Sequence, residues 1–281
     1  MSVNAKDGAS IGLGPDTAAE DGAAPEADRI GPLGRALALL DVFAAAGRPL
    51  RFADVHRASP LPKATLHRLL HQLEAEGMLM REPGGQHWRL GLRLIRLAHA
   101  AWEGASLVEA ARPVLDRLAA ELGATIHLAA LDGSDVLYLD KRHAGPSLRL
   151  FSRPGRVGPA YCTGVGKAML AALPAPARAA AVARQRFERH TPHTITSQGR
   201  LDQELAQIAA RGHAVDDEEH EAGVVCVAAP IVGARGTLLG ALSVTTTTRL
   251  LPLAELERHA PTLRSAAAEI ARAADMQLIG S

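Results

Sequence analysis

Residues 33–93 read LGRALALLDVFAAAGRPLRFADVHRASPLPKATLHRLLHQLEAEGMLMREPGGQHWRLGLR, and this stretch decides the fold of the N-terminal part of the chain. Its opening, GRALALLDVFAAAG, sets Leu37, Leu40 and Phe43 at helical spacing, with Gly47 as a stop signal. RFADVHRA predicts a short second helix, followed by the tight connection Ser59-Pro60-Leu61-Pro62. KATLHRLLHQLEAEG predicts a third, in which Leu66, Leu69, Leu70 and Leu73 form one apolar stripe. After it, MLMREPGGQHWRLG turns at Pro83-Gly84-Gly85, the pattern of a two-stranded hairpin. Three short helices and a hairpin in this order make a winged helix-turn-helix, which lays one helix in a DNA major groove.

The rest of the third helix suits that use. Lys63, Ala64, Thr65, His67 and Arg68 avoid the leucine stripe and lie toward the helix N-terminus, from which groove-reading helices reach base edges. Lys and Arg reach phosphates or guanine edges, and Thr serves a phosphate or a thymine methyl. Pro62 fits the first helical turn, where a missing N–H costs nothing. Any amphipathic helix carries some basic residues on its wet face. The assignment therefore rests on the whole helix–turn–helix–wing series.

The charge distribution agrees. The net charge of the 281 residues is only +1, but it is unevenly placed. Residues 1–28 hold one Lys against six Asp/Glu, residues 29–104 hold eleven Lys/Arg against six Asp/Glu, and the remainder is nearly balanced. The positive excess sits on the segment that would meet phosphates. Residues 1–28, rich in Ala, Gly, Asp and Glu, have no periodic apolar face and read as a disordered tail. They lack a basic segment followed by an apolar core, so they do not read as a signal peptide. No run approaches the roughly 18 apolar residues of a membrane span. Two cysteines, Cys162 and Cys226, are too few for a disulfide framework and suit a reducing, cytoplasmic compartment.

Residues 92–104 predict a linker helix with Leu94, Leu97 and Ala98 on one face and Trp102 a turn further on. Residues 105–281 open with a helix carrying Leu107, Ala111, Val114, Leu115 and Leu118, ended by Gly123. TIHLAALD and DVLYLDKR predict adjacent strands turning at Asp132-Gly133-Ser134, and LRLFS a third. GVGKAMLAAL and DQELAQIAARG predict helices, VVCVAAPIVG and LLGALSVTTTT two further strands, and Ala254 to Ala274 a closing helix. Antiparallel strands with helices outside give an α+β domain with a concave face suited to a small ligand. The expected organisation is thus a tail (1–28), a DNA-binding domain (29–91), a linker helix (92–104) and a sensor domain (105–281).

From about Gly34 to Asp275 the chain resembles the IclR-type transcriptional regulators. The resemblance is carried by GRALALLDVF, KATLHRLLHQLEAEG, WRLGLRL, YCTGVGKAMLA, HTITSQGRL, GHAVDDEEHEAGVVCVAAPI and ALSVTTTTRL, each weak alone and specific as an ordered series. It implies a homodimer or tetramer on a palindromic operator of double-stranded DNA, with a small-molecule effector, commonly a carboxylate, in a GAF-like α+β domain. It implies effector contacts at Leu148, Leu150, Gly164, Val165, Asp216, Cys226, Ser243 and Thr245. LRLFSRPGRVGPAYCTGVGKAMLA and HTITSQG are most similar to the branch that senses sugar-acid breakdown products such as 2-keto-3-deoxygluconate. The chain departs from the family in carrying Pro60 where Gly is usual and Ala64 where Ser or Thr is frequent. Proline excludes a positive φ in the turn, and alanine removes a hydroxyl that could hold a phosphate.

These site residues also make chemical sense unaided. Helix-start N–H groups at Gly164 and Val165 can receive a carboxylate. Ser243 and Thr245, two apart on a strand, share a face, and Asp216 can accept from a ligand hydroxyl. The remaining charges of the DDEEH run read as a solvated turn, and Cys226 as a small residue in an apolar strand. TGVGKA fails as a phosphate-binding loop, because Tyr161 stands where a Gly is needed and Ala168 replaces the magnesium-binding hydroxyl. The competing class is a small-molecule hydrolase built on Asp216, His220 and Cys226, or a metal site adding Asp217 and Cys162. No nucleophile signature surrounds Cys226 and no close paired ligands such as C-x₂-C occur, so no catalytic residue, metal or cofactor is expected.

Overall fold

The computed structural model describes residues 31–103, 106–143 and 150–280. The expected tail and Leu148 lie outside the described residues. The chain divides into two compact units between Ala98 and His99.

The first unit contains α1 (Pro32–Ala46), β1 (Leu50–Arg51), α2 (Phe52–Ala58), α3 (Lys63–Ala75), β2 (Leu79–Arg81) and β3 (His87–Leu90). α1 ends at Gly47, whose positive φ of 61° lets its N–H reach the Phe43 carbonyl at 3.2 Å. The α3 stripe of Leu66, Leu69, Leu70 and Leu73 is buried with Leu39, Leu40, Phe43, Val55 and Trp88. Each such leucine contributes about 1.5–3 kcal/mol by leaving water. Leu37 does not belong to this core. The inward face of α1 is set by Leu39, Leu40 and Phe43, and Leu37 lies off it, 49% exposed.

The wing is three-stranded, in the order β1-β3-β2, because Leu50 and Arg51 pair with Trp88 and His87. A two-residue strand is too short to leave a periodicity in sequence. Pro62 is the residue before α3 rather than part of its first turn, and its carbonyl accepts the Leu66 N–H at 2.9 Å. α4 (Leu92–Glu103) covers the expected linker, and the division between units falls within it. Its apolar residues with described side chains do not share one covered face. Leu94 packs on the core of the first unit, whereas Leu92, Ile95 and Leu97 are exposed.

The second unit contains α5 (Ser106–Leu122), β4 (Thr125–Asp132), β5 (Asp135–Arg142), β6 (Val157–Pro159), α6 (Gly164–Ala172), α7 (Ala175–Ala183) and α8 (Gln198–Arg211), then β7 (Ala214–Asp217), β8 (Val224–Val232), β9 (Leu238–Thr247), α9 (Leu253–Leu256) and α10 (Ala260–Gly280). The strands form one antiparallel sheet in the order β6-β5-β4-β9-β8-β7. α5 and α10 cover one face, where Val225, Val227, Ala229 and Ile231 of β8 meet Leu115, Leu118, Leu263 and Ile270. α6 and α8 cover the other, where Cys226 and Ala228 meet Val165, Met169 and Leu205. Burial on both faces explains why β8 reads as a continuous apolar run.

Residues 150–152 of the expected LRLFS strand are not in a strand; Val157–Pro159 pairs with β5 instead. There the chain turns away and makes side-chain hydrogen bonds to the sheet, as described below. β7 and α7 are additional to the elements that periodicity predicts, and the closing helix breaks at a 3₁₀ turn over Glu257–His259. The architecture is α+β, a winged helix-turn-helix followed by a GAF-like domain.

Candidate functional site

The register of β7, β8, β9 and β4 places five polar or thiol side chains on one face. Asp216 stands opposite Cys226, Cys226 opposite Thr245, and Ser243 opposite His127. Ser243 and Thr245 are two apart, so they point the same way. α6 brings its N-terminus against this face, and two glycines permit the approach. A Cβ on Gly164 would lie 2.7 Å from Cys226 Sγ, and one on Gly166 only 2.4 Å from Ala160 Cα. The preceding Thr163 donates its hydroxyl to the Pro159 carbonyl at 2.8 Å and does not cap the helix.

Between α6, the sheet and residues 150–152 lies a cavity of about 40 Å³. Leu150, Gly164, Val165, Asp216, Cys226, Ser243 and Thr245 all line it, so every expected effector residue that the structure describes meets at one place. A volume of this size holds a few waters.

Sequence reading missed several residues lining the same cavity. His127 is fully enclosed, with Nε2 2.7 Å from Ser152 Oγ and Nδ1 3.3 Å from Thr245 Oγ1 and 3.4 Å from Ser243 Oγ. Burial, aided by the Lys141 charge, pushes it down to about 3, so the ring is neutral. Phe151 donates its N–H to Glu221 and packs edge-on against His220 at 4.7 Å. Burial and then His190 push His220 down to about 4. The one available signal was a histidine inside the otherwise apolar run TIHLAALD.

A charged cluster adjoins the cavity through Asp216. Lys167 of α6 is 1% exposed and hydrogen-bonds Glu219; Glu204 of α8 lies 3.7 Å from its Nζ and also receives Arg211 at 2.7 Å. Asp216 accepts the Glu219 backbone N–H at 2.9 Å. Burial first, then the Glu219 charge, pushes Asp216 up to about 7. Burial likewise raises Glu219, against the pull of Lys167. The reading of Glu219 as part of a solvated turn is thus corrected. Hydroxyls of Thr191 and Thr194 bind the Glu219 carbonyl at 3.3 and 2.6 Å and hold this turn inward.

Cys226 has no catalytic partner among the described residues. Burial, with Asp216 next, pushes its thiol up to about 12. Its side-chain hydrogen-bond partners are the Thr245 and Ser243 hydroxyls, neither of which is a base, and the His220 ring is engaged by Phe151 and His190. Among the described residues only His193, Asp217 and Glu218 bring three possible metal-ligand atoms together; they lie near the surface, and Glu218 Oε2 already accepts the Gly223 N–H.

In the first unit Lys63, Ala64, His67 and Arg68 are exposed at the start of α3 and Thr65 is half-buried. The His67 ring lies 5.7 Å from Phe52 and 4.5 Å from His71. Arg81, not singled out in the sequence, donates to Glu74 of α3 and the Gly85 carbonyl and stacks over Trp88 at 4.5 Å, bracing the hairpin against α3.

Comparison with known proteins accounts for both units. Residues 32–83 match the IclR helix-turn-helix domain and residues 99–272 the C-terminal domain of the bacterial transcriptional regulator IclR. The chain is 34% identical to the probable transcriptional regulator SauR of Cupriavidus necator, over 85% of its own length and 94% of that protein. It is 33% identical to the regulator XynR of Escherichia coli, over 85% and 95%. Among solved structures it is similar to a putative transcriptional regulator from Rhodococcus (TM-score 0.73, 29% identity, 87% and 98% covered). It also resembles an IclR homologue from Microbacterium hydrocarbonoxydans complexed with 4-hydroxybenzoate (TM-score 0.76, 25% identity, 88% and 100% covered). No helix among the described residues is long and apolar enough to cross a membrane. The chain belongs to the IclR family of DNA-binding transcriptional regulators with an effector-binding domain, and it is not an enzyme.

Proposed function

We propose that this regulator acts in the cytoplasm, binds a palindromic operator through Lys63, Ala64, Thr65, His67 and Arg68, and is switched by a small carboxylate in the α6 cavity. Residues 29–91 read the operator, 92–104 link, and 105–281 sense the effector. The carrying observation is that the seven described residues implied by the family resemblance meet around one cavity, at the uncapped N-terminus of α6. N–H groups at Gly164 and Val165 and the positive end of the helix dipole receive the carboxylate. Ser243 and Thr245 bind its other oxygens, and Leu150 closes over it. Sugar acids are the class suggested by the motifs, and the 4-hydroxybenzoate held by a relative supports a carboxylate more broadly.

A palindromic operator requires two-fold symmetry, so the working form is a homodimer or tetramer. Exposed Leu33, Leu37, Leu92 and Ile95 on the first unit supply apolar surface for association. Calorimetry with a panel of keto acids, sugar acids and aromatic acids tests the cavity. Some member should bind the wild type and fail to bind Val165→Trp, whose indole fills the site. Equal binding to both proteins would place the effector elsewhere.

A further inference from the structure

The charged cluster beside the cavity has an unbalanced count. Two cations, Lys167 and Arg211, face three carboxylates, Glu204, Glu219 and Asp216. Glu204 is satisfied by Arg211 and Lys167. Lys167 spends its short contact on Glu219 Oε1, while Glu219 Oε2 is buried with no hydrogen-bond partner among the described residues. Asp216, also buried, receives one backbone N–H on Oδ1 and faces the cavity.

The other titratable groups around Asp216 do not supply the missing positive charge. His127 of β4 and His220 are neutral, and Tyr138 of β5, Cys162 and Cys226 of β8 are kept protonated by burial. Asp217 adds negative charge nearby, while Lys141 of β5 and Glu221 face each other electrostatically and leave the count unchanged. A buried carboxylate without a counter-charge is costly, and taking up a proton is the cheapest relief.

We propose that the Asp216–Glu219 pair carries one proton at neutral pH, and that an anionic effector binds with that proton held on Asp216, accepting a hydrogen bond from its O–H. This rests on the cavity being the effector site. It assigns Asp216 a role opposite to that of a plain acceptor. As a donor it selects ligands that present an anionic or carbonyl oxygen at this end of the cavity over ligands that present a hydroxyl proton. The rise of Asp216 to about 7 agrees with the charge count. The proton balance is explicit. Above the pair's titration, binding an anion draws one proton from solvent onto Asp216; below it, the proton is already present and none is drawn.

Two measurements on the full chain test this separately from the effector reading. Infrared spectroscopy of the ligand-free protein in D₂O at pH 7 should show the C=O stretch of a protonated carboxyl group. The band should vanish at high pH and weaken in Asp216→Asn or Glu219→Gln. Absence of the band, or a band unchanged in both variants, overturns the proposal whatever the effector is. Calorimetry with pyruvate, gluconate and 4-hydroxybenzoate, each in buffers of different ionisation enthalpy, gives the second readout. A probe that binds should draw about one proton at pH 8 and nearly none at pH 5, with affinity falling up to tenfold per pH unit above neutrality. Asp216→Asn should abolish that pH dependence. Binding without proton uptake at pH 8 refutes the donor role. If none of the three binds, the carboxylate reading loses its support while the infrared result still decides the proton.

Discussion

Replacing Lys167 by methionine removes the one cation that the buried Glu219 contacts among the described residues. Lys167 is 1% exposed and methionine is similar in size, so the change leaves charge, rather than a cavity, as the main perturbation. Glu204 keeps Arg211 at 2.7 Å, so the orphaned group is Glu219, with Asp216 behind it. Breaking a buried pair by deleting one partner costs about 3–5 kcal/mol. The loss depends on pH with a definite sign. Burial already holds Glu219 above its ordinary 4.5, and without Lys167 it rises further. The folded variant then binds a proton that the unfolded chain has released, so it regains stability relative to wild type as pH falls from 8 to 5. Urea unfolding followed by far-ultraviolet circular dichroism at both pH values measures this. The double variant Lys167→Met/Glu219→Gln should recover at least half of the loss at pH 8. A single-variant cost below about 0.5 kcal/mol at pH 8, the range of ordinary surface changes, would refute the charge argument.

Lys63→Ala with Arg68→Ala should weaken operator binding and flatten its salt dependence, because each phosphate contact releases counterions; an unchanged slope by fluorescence anisotropy would remove α3 from the interface. Ser243→Ala should weaken effector binding by about 0.5–1.5 kcal/mol in calorimetry, the value of one neutral hydrogen bond, and no change would leave Ser243 to His127 alone. Light scattering at micromolar concentration should give a dimer or tetramer, and Leu37→Asp with Ile95→Asp should shift it toward monomer. A monomer that still protects a palindromic site would contradict the symmetry argument.

The elements legible in the sequence were those with strong periodicity. The α3 leucine stripe and the apolar runs of β4, β8 and β9 announce themselves because burial imposes their spacing. Leu37 misled because it also sits three residues from Leu40, and only the three-dimensional partner of α1 decides which stripe turns inward. β1, β6 and β7 span two to four residues, too few for any period. The cavity residues were reached through motif resemblance, and the strand register explains why they meet. What stayed hidden was the network around them. His127 and Lys167 are ordinary letters in a strand and a helix, and only packing shows that each is enclosed. Asp216 and Glu219 lie within an acidic run of the kind normally found in water, and Thr191 and Thr194, distant in sequence, hold that turn in the interior.

The central claim is that the α6 cavity governs the DNA reader. Fluorescence anisotropy of a labelled operator from upstream of the gene, titrated with protein in the presence and absence of a bound carboxylate, tests it most directly when wild type and Val165→Trp are compared. Both proteins should bind the operator alike without ligand, and the carboxylate should change affinity only for the wild type. An equal response of the two proteins to the carboxylate would contradict it.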